Sequence, residues 1–147
     1  MTERKTIHSL AEMETFAFEM GKKAKAGDVL FLEGEMGMGK TTFVQHFVKG
    51  VGSPEMVSSP TFRIIHEYTQ GRLPVVHMDL YRLKSEQEVL AIDVPGYIRR
   101  DGVTLIEWPE LVESWVQGPV KLLEFSALAE AENGRQVEMK SLVLGGG

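Results

Sequence analysis

Gly34-Glu35-Met36-Gly37-Met38-Gly39-Lys40-Thr41 follows directly on the apolar run Val29-Leu30-Phe31-Leu32 and fits the pattern of a glycine, four residues, a glycine, a lysine and a hydroxyl residue. A buried strand giving way to such a loop and then to a helix predicts a site for a nucleoside triphosphate. Gly34, Gly37 and Gly39 permit left-handed or crowded backbone, so successive amide N–H groups can turn inward around a phosphate. Lys40 is expected to extend along the β- and γ-phosphates and the Thr41 hydroxyl to complete the shell of a magnesium ion. The helix that opens at Lys40 to Thr42 points its positive end at the same anion.

Working outward, Ser9 and Glu12 have capping-box spacing, and Leu10, Met13, Phe16, Ala17 and Met20 recur at helical intervals before Gly27. Residues 28–33 read as a buried strand and 40–49 as a helix ended by Gly50 and Gly52. Residues 62–68 and 73–78 read as two strands joined by a turn at Thr69-Gln70-Gly71-Arg72. Ser85 and Glu88 repeat the capping spacing and open a short helix that Pro95-Gly96 is expected to end. After the polar loop Arg99-Arg100-Asp101-Gly102, residues 103–106 form an apolar strand, and Pro109 suits the start of a helix running to Gln117, stopped by Gly118-Pro119. Residues 120–128 and 135–144 read as an antiparallel hairpin around Glu132-Asn133-Gly134, with residues 145–147 a frayed tail. The expectation is one α/β domain over residues 1–147 with a mixed, mostly parallel central sheet flanked by helices and a C-terminal antiparallel hairpin.

The composition narrows the class. A chain of 147 residues, 43% of them hydrophobic, suits one domain with one core. There is no apolar run of bilayer length and no secretory signal, and cysteine is absent, so a cytoplasmic protein without disulfides or thiolate metal sites is expected. A formal charge of -5 is the wrong sign for gripping nucleic acid unaided, so any RNA role would need a partner's surface. Lys22, Lys23 and Lys25 read as a solvated helix end.

Hydrolysis needs, beside the loop, an acid at a neighbouring strand end to organise magnesium or water. Val75-Val76-His77-Met78-Asp79 and Val103-Thr104-Leu105-Ile106-Glu107 each deliver one. His77 reads as a packing or hydrogen-bonding residue in preference to half of a metal pair. Arg82 either neutralises phosphate or pairs with a carboxylate, and Trp108 either covers the nucleotide or packs in the core. Ser59-Pro60-Thr61 sits where other nucleotide switches place a hydroxyl that senses the γ-phosphate, but by spacing alone a plain turn is the better reading.

The loop, Ser59-Pro60-Thr61, His77-x-Asp79-x-Tyr81-Arg82 and Glu107-Trp108, in this order and spacing, resemble the TsaE (YjeE) family, bacterial P-loop ATPases required for threonylcarbamoyl modification of the adenosine next to the tRNA anticodon. The resemblance runs from about Leu10 to Arg135. It implies a P-loop NTPase fold, ATP and magnesium, and hydrolysis that is weak alone and stimulated by partners. Those partners are the glycoprotease-like threonylcarbamoyl-transferase catalytic subunit and its paralogue, on which the chain docks and which it resets between turnovers. It further implies nucleotide contacts from Glu35, Met36, Gly37, Met38, Gly39, Lys40, Thr41, Thr42, Thr61 and Trp108, with Thr61 switch-like and Thr42 by the α-phosphate. Thr41 and Glu107 serve magnesium, and Lys40, Asp79 and Glu107 form the catalytic set, Asp79 placing water. The two acids could exchange roles.

Members often carry a Leu-Gly pair where this chain reads Ala91-Ile92-Asp93-Val94-Pro95, which puts the contacts of that segment in doubt. Two other readings remain: a small-molecule P-loop kinase, for which the 27 residues between Asp79 and Glu107 leave little room for lid and acceptor site, and a nucleotide-gated binding module without required turnover. A GTPase is disfavoured because the only asparagine, Asn133, lies in the terminal hairpin.

Overall fold

Val29–Glu33 (β2) and Val103–Glu107 (β5) carry apolar side chains on both faces and lie side by side in parallel, as strands covered by helices on both sides must. The computed structural model describes residues 2–35, 38–54, 64–81, 83–98, 100–127 and 134–144. In chain order the remaining elements are strand β1 (Thr2–Ile7), helix α1 (Leu10–Lys23), helix α2 (Lys40–Gly50), strands β3 (Ile65–Tyr68) and β4 (Val75–Asp79), helix α3 (Glu86–Ala91), and strands β6 (Gly118–Ala127) and β7 (Arg135–Leu144). Three 3-10 turns, Val94–Tyr97, Pro109–Leu111 and Glu113–Trp115, complete the described chain. One seven-stranded sheet runs in the order β1-β7-β6-β2-β5-β4-β3. Its four central strands, β6, β2, β5 and β4, are parallel, and antiparallel pairs close it at both margins, so the expected architecture is observed.

Alternation along the strands separates two cores. Leu30, Leu32, Val75, Val103, Leu105, Leu123 and Phe125 face α1 and α2, whereas Val29, Phe31, Val76, Met78, Ile106 and Val120 face α3 and the 3-10 turns. Phe43 of α2 is fully buried, with ring centroids 5.9, 5.8 and 5.6 Å from Phe16, Phe47 and Phe125. Helices α1 and α2 cross where Gly21 meets Gly50: a Cβ on either would overlap a backbone carbonyl of the other helix, at Phe47 or Phe18.

The helix starts follow their caps. Ser9 and Ser85 hydroxyls accept from the N–H groups of Glu12 and Glu88, each at 3.2 Å. The C-terminus of α1 has a cap that its own sequence does not announce. The Arg72 guanidinium, from the β3–β4 connection, donates to the carbonyls of Ala24, Gly21 and Lys22 at 3.0, 3.1 and 3.1 Å.

Four local readings change. Residues 2–7 form a strand that the sequence reading left without an element, because Ile7 is the single buried side chain among residues 3–7. Helix α3 ends at Ala91, ahead of Pro95-Gly96; the chain turns at Asp93 with φ 55°, and the proline and glycine sit inside the next 3-10 turn. Residues 109–117 form two 3-10 turns instead of one helix. Gly118-Pro119 opens β6 instead of preceding it: Pro119 pairs with Val143 of β7, and the β2 ladder begins only at Lys121, so its missing N–H interrupts no bond to β2. Met36, Gly37, Ser59-Pro60-Thr61, Arg82, Arg99, Asn133 and residues 145–147 lie outside the described residues.

Candidate functional site

The loop leaves β2 at Gly34, while β4 and β5 end on Asp79 and Glu107, directly opposite each other in the parallel register. These strand ends share one edge of the sheet, the carboxyl edge at which α/β folds bind ligands. Leu32 pairs with Glu107, and both acids alternate onto the face that carries α1 and α2, so Glu107 points at the first turn of α2. Gly34 and Gly39 hold φ of 143° and 100°, and Gly39 is the residue before α2. A Cβ at Gly34 would also strike the Phe125 carbonyl, so bare backbone is required there.

Lys40 is 6% exposed, and a buried ammonium must be paired. Its Nζ donates to the Gly34 carbonyl, lies 3.7 Å from Glu107 Oε1 and sits 4.8 Å above the Trp108 ring. Glu107, equally enclosed, receives a second contact from His77 Nε2, 2.6 Å from Oε2. The chain Lys40–Glu107–His77 therefore accounts for both oxygens of the one deeply buried carboxylate among the described residues.

Asp79 is treated differently. Burial raises its pKa above the ordinary carboxylate value, and the Glu107 charge adds to that; the Tyr81 N–H, which donates to Oδ1 at 3.1 Å, and the charges of His77 and Lys40 oppose it. Trp108, next to Glu107, is a non-glycine residue in the left-handed region (φ 57°, ψ 62°) immediately before Pro109, a conformation that costs about 1–3 kcal/mol. Its ring leans on Tyr81, centroids 5.1 Å apart, so it forms a partly exposed wall over Lys40. Of the sequence-based candidates, Lys40, Glu107 and Trp108 are thus in direct contact, with Asp79 beside them.

Glu35 is exposed and Met38 half-buried, its N–H donating to the Glu35 carbonyl at 3.3 Å. Thr41 and Thr42 line, together with Gly39 and Lys40, a cleft of about 350 Å³ whose other walls include Ser9 and Met13 at the start of α1 and Arg135 at the start of β7. The sequence reading missed Ser9, Met13 and Arg135 as site residues, since only the tertiary fold brings 9, 13 and 135 to the loop. The His77–Glu107 bond was equally hidden, because it depends on the β4–β5 register. Among the described residues no three His, Asp or Glu side chains form a metal-binding group, and no helix is long and apolar enough to cross a membrane.

A strand, the start of a glycine loop, a buried lysine at a helix start and facing strand-end acids are the parts of a P-loop NTPase fold. Residues 7–137 match the family model described as threonylcarbamoyl adenosine biosynthesis protein TsaE. The chain belongs to the TsaE family. It is 45% identical over 114 residues to the Bacillus subtilis tRNA threonylcarbamoyladenosine biosynthesis protein TsaE, covering 78% of this chain and 70% of that one. With the Nostoc protein of the same name it shares 46% identity over 95 residues, 62% of this chain, and the match spans only 58% of that relative's length. The crystal structure of Bacillus subtilis YdiB superposes with a TM-score of 0.77 at 31% identity, over 97% of this chain and 86% of that one.

Proposed function

We propose that this chain is an ATPase of the machinery that makes threonylcarbamoyladenosine in tRNA, hydrolysing ATP to ADP and phosphate. The observation that carries the reading is the buried Lys40, held between the loop's first carbonyl and Glu107 at the carboxyl edge of the sheet. A lysine there serves a ligand with several negative oxygens, and burial makes each of its contacts stronger than in water. On this reading Lys40 transfers from Glu107 to the β- and γ-phosphates. The amides of residues 35–42 surround the phosphates, Trp108 walls the site, and Thr61 acts as the γ-phosphate switch. The cleft behind Thr42 takes the nucleoside.

The Thr41 hydroxyl and the Glu107 carboxylate are hard oxygen donors, the kind magnesium accepts, and with no three-ligand acidic group among the described residues the ion would be carried chiefly by the nucleotide. Bound there, magnesium would supply positive charge against the phosphate oxygens. Asp79, whose burial favours the proton-bound form, is suited to orient or accept a proton from the attacking water. The chain works in the cytoplasm by docking on the threonylcarbamoyl-transferase catalytic subunit and its paralogue. It resets that complex and meets tRNA only through it, so its turnover alone is slow.

Calorimetry with ATP and phosphate-release assays, with and without the partner complex, test this. Lys40→Ala is expected to weaken ATP binding at least 100-fold, about 3 kcal/mol, the cost of removing a buried charge partner. Unchanged affinity would remove the loop from the account, and fast turnover without partners would contradict the docking cycle. If Glu107→Gln retained full tRNA modification in a reconstituted system, the protein would instead be a nucleotide-gated module.

A further inference from the structure

His77 is two residues from Asp79 on the same face of β4, one row deeper in the sheet, and 2% exposed. Its register partner on β5 is Leu105, so its ring reaches diagonally forward to Glu107. Glu107 has three side-chain torsions, the last of them broad, and its contact with Lys40 at 3.7 Å is too long to fix that last torsion. The 2.6 Å contact with His77 does fix it, holding Oε2 in the sheet and leaving Oε1 facing the loop. The opposite ring nitrogen, Nδ1, is buried and has no hydrogen-bond partner among the described residues, which puts the ring's useful hydrogen on Nε2. The ring is also held in place by His66 of β3, centroids 6.3 Å apart.

We infer that His77 is a positioning residue of the hydrolytic site, clamping one oxygen of Glu107 so that the other stays aimed at the loop when Lys40 turns to phosphate. This rests on the proposed ATPase reading. The division of labour follows from the two contacts: the lysine is the exchangeable partner and the histidine the fixed one. Without the clamp, Glu107 is free to rotate, or to follow the departing ammonium.

The test uses the full chain with His77→Leu, which keeps bulk but no donor, and His77→Gln, whose amide nitrogen reaches the position of Nε2. Three quantities are read: ATP affinity without magnesium, the magnesium concentration that half-saturates the tightening of ATP binding, and the single-turnover hydrolysis rate. His77→Leu is expected to raise the magnesium requirement and lower the rate by about tenfold each, with magnesium-free affinity unchanged and His77→Gln restoring most of both. If His77→Leu does not fold, His77→Gln against His77→Asn, whose amide falls short of Glu107, carries the same contrast. Wild-type values in the donor-less variant would overturn the clamp. So would equal impairment of Gln and Leu or Asn together with lost magnesium-free affinity, which would make His77 a packing residue. A wild-type chain that binds no ATP would remove the ATPase reading itself, an outcome separate from any behaviour of the variants.

Discussion

Along β2, β4 and β5 nearly every side chain is buried, whereas along β7 only Val137 is, and among residues 3–7 only Ile7. The parallel centre is sandwiched between two helical layers and has no solvent face. The antiparallel wing, β6-β7-β1, reaches both cores, through Leu123, Phe125 and Val137 on one face and Val120 on the other, and meets water with charges paired across strands: Arg4 with Glu138 at 3.4 Å and Lys140 with Glu124 at 2.8 Å. The centre is stabilised by exclusion of water and the wing by backbone ladders with weak surface pairs. The candidate site lies at the centre, where buried strands end on Glu33, just before Gly34, and on Asp79 and Glu107.

The sharpest way to break this comparison is to truncate one side chain packed on the centre and one on the wing. Phe43→Ala empties the middle of an aromatic cluster under the loop helix and is expected to cost about 3–5 kcal/mol. Val143→Ala, in β7 and 76% exposed, should change stability by less than about 0.5 kcal/mol. Urea unfolding of both variants measures the contrast, and similar losses would mean that the wing buries more than its side chains display.

That contrast also explains what could be read in the chain. Continuous apolar runs such as Val29-Leu30-Phe31-Leu32 announce a doubly covered strand without knowledge of neighbours, and the loop motif then fixes which end carries chemistry. The β6–β7 hairpin was legible from Asn133-Gly134 and its flanking runs. Thr2-Glu3-Arg4-Lys5-Thr6-Ile7 was not, since an edge strand of this kind is held by the β7 ladder, a property of the partner. Within the site, Lys40, Asp79 and Glu107 were legible by type and position, but the pairing of Lys40 and His77 on the same carboxylate depends on a register no single segment encodes.

Arg72 offers a second, smaller test, because it ties the β3–β4 margin to α1 by bonds far apart in sequence. Arg72→Ala frees three carbonyls at the α1 terminus and is expected to cost about 1–3 kcal/mol. Hydrogen exchange should speed selectively in the last turn of α1. Uniform loss of protection would mean instead that the margin and the centre unfold as one unit.

The smallest effect lies where centre and wing meet. Glu33 ends β2 directly opposite Glu124 of β6, which in turn faces Glu138 of β7, so three carboxylates stand in one cross-strand row. Lys140 answers the two on the wing, at 2.8 and 3.7 Å. Glu33 is left with burial as the largest influence, then the charges of Glu110, Glu124 and Glu113, all raising its pKa, and only Lys140 lowering it. A carboxyl raised in the folded state penalises folding above its folded pKa and not at all below the unfolded value, near about 4.3. Glu33→Gln should therefore stabilise the protein at pH 7–8, by about 0.5 kcal/mol or less for so accessible a group, with the gain vanishing as pH falls through the carboxylate range. Thermal melts across that range measure it. A gain that persists at pH 3 would arise from the side chain's packing, leaving the charge row at this seam energetically silent.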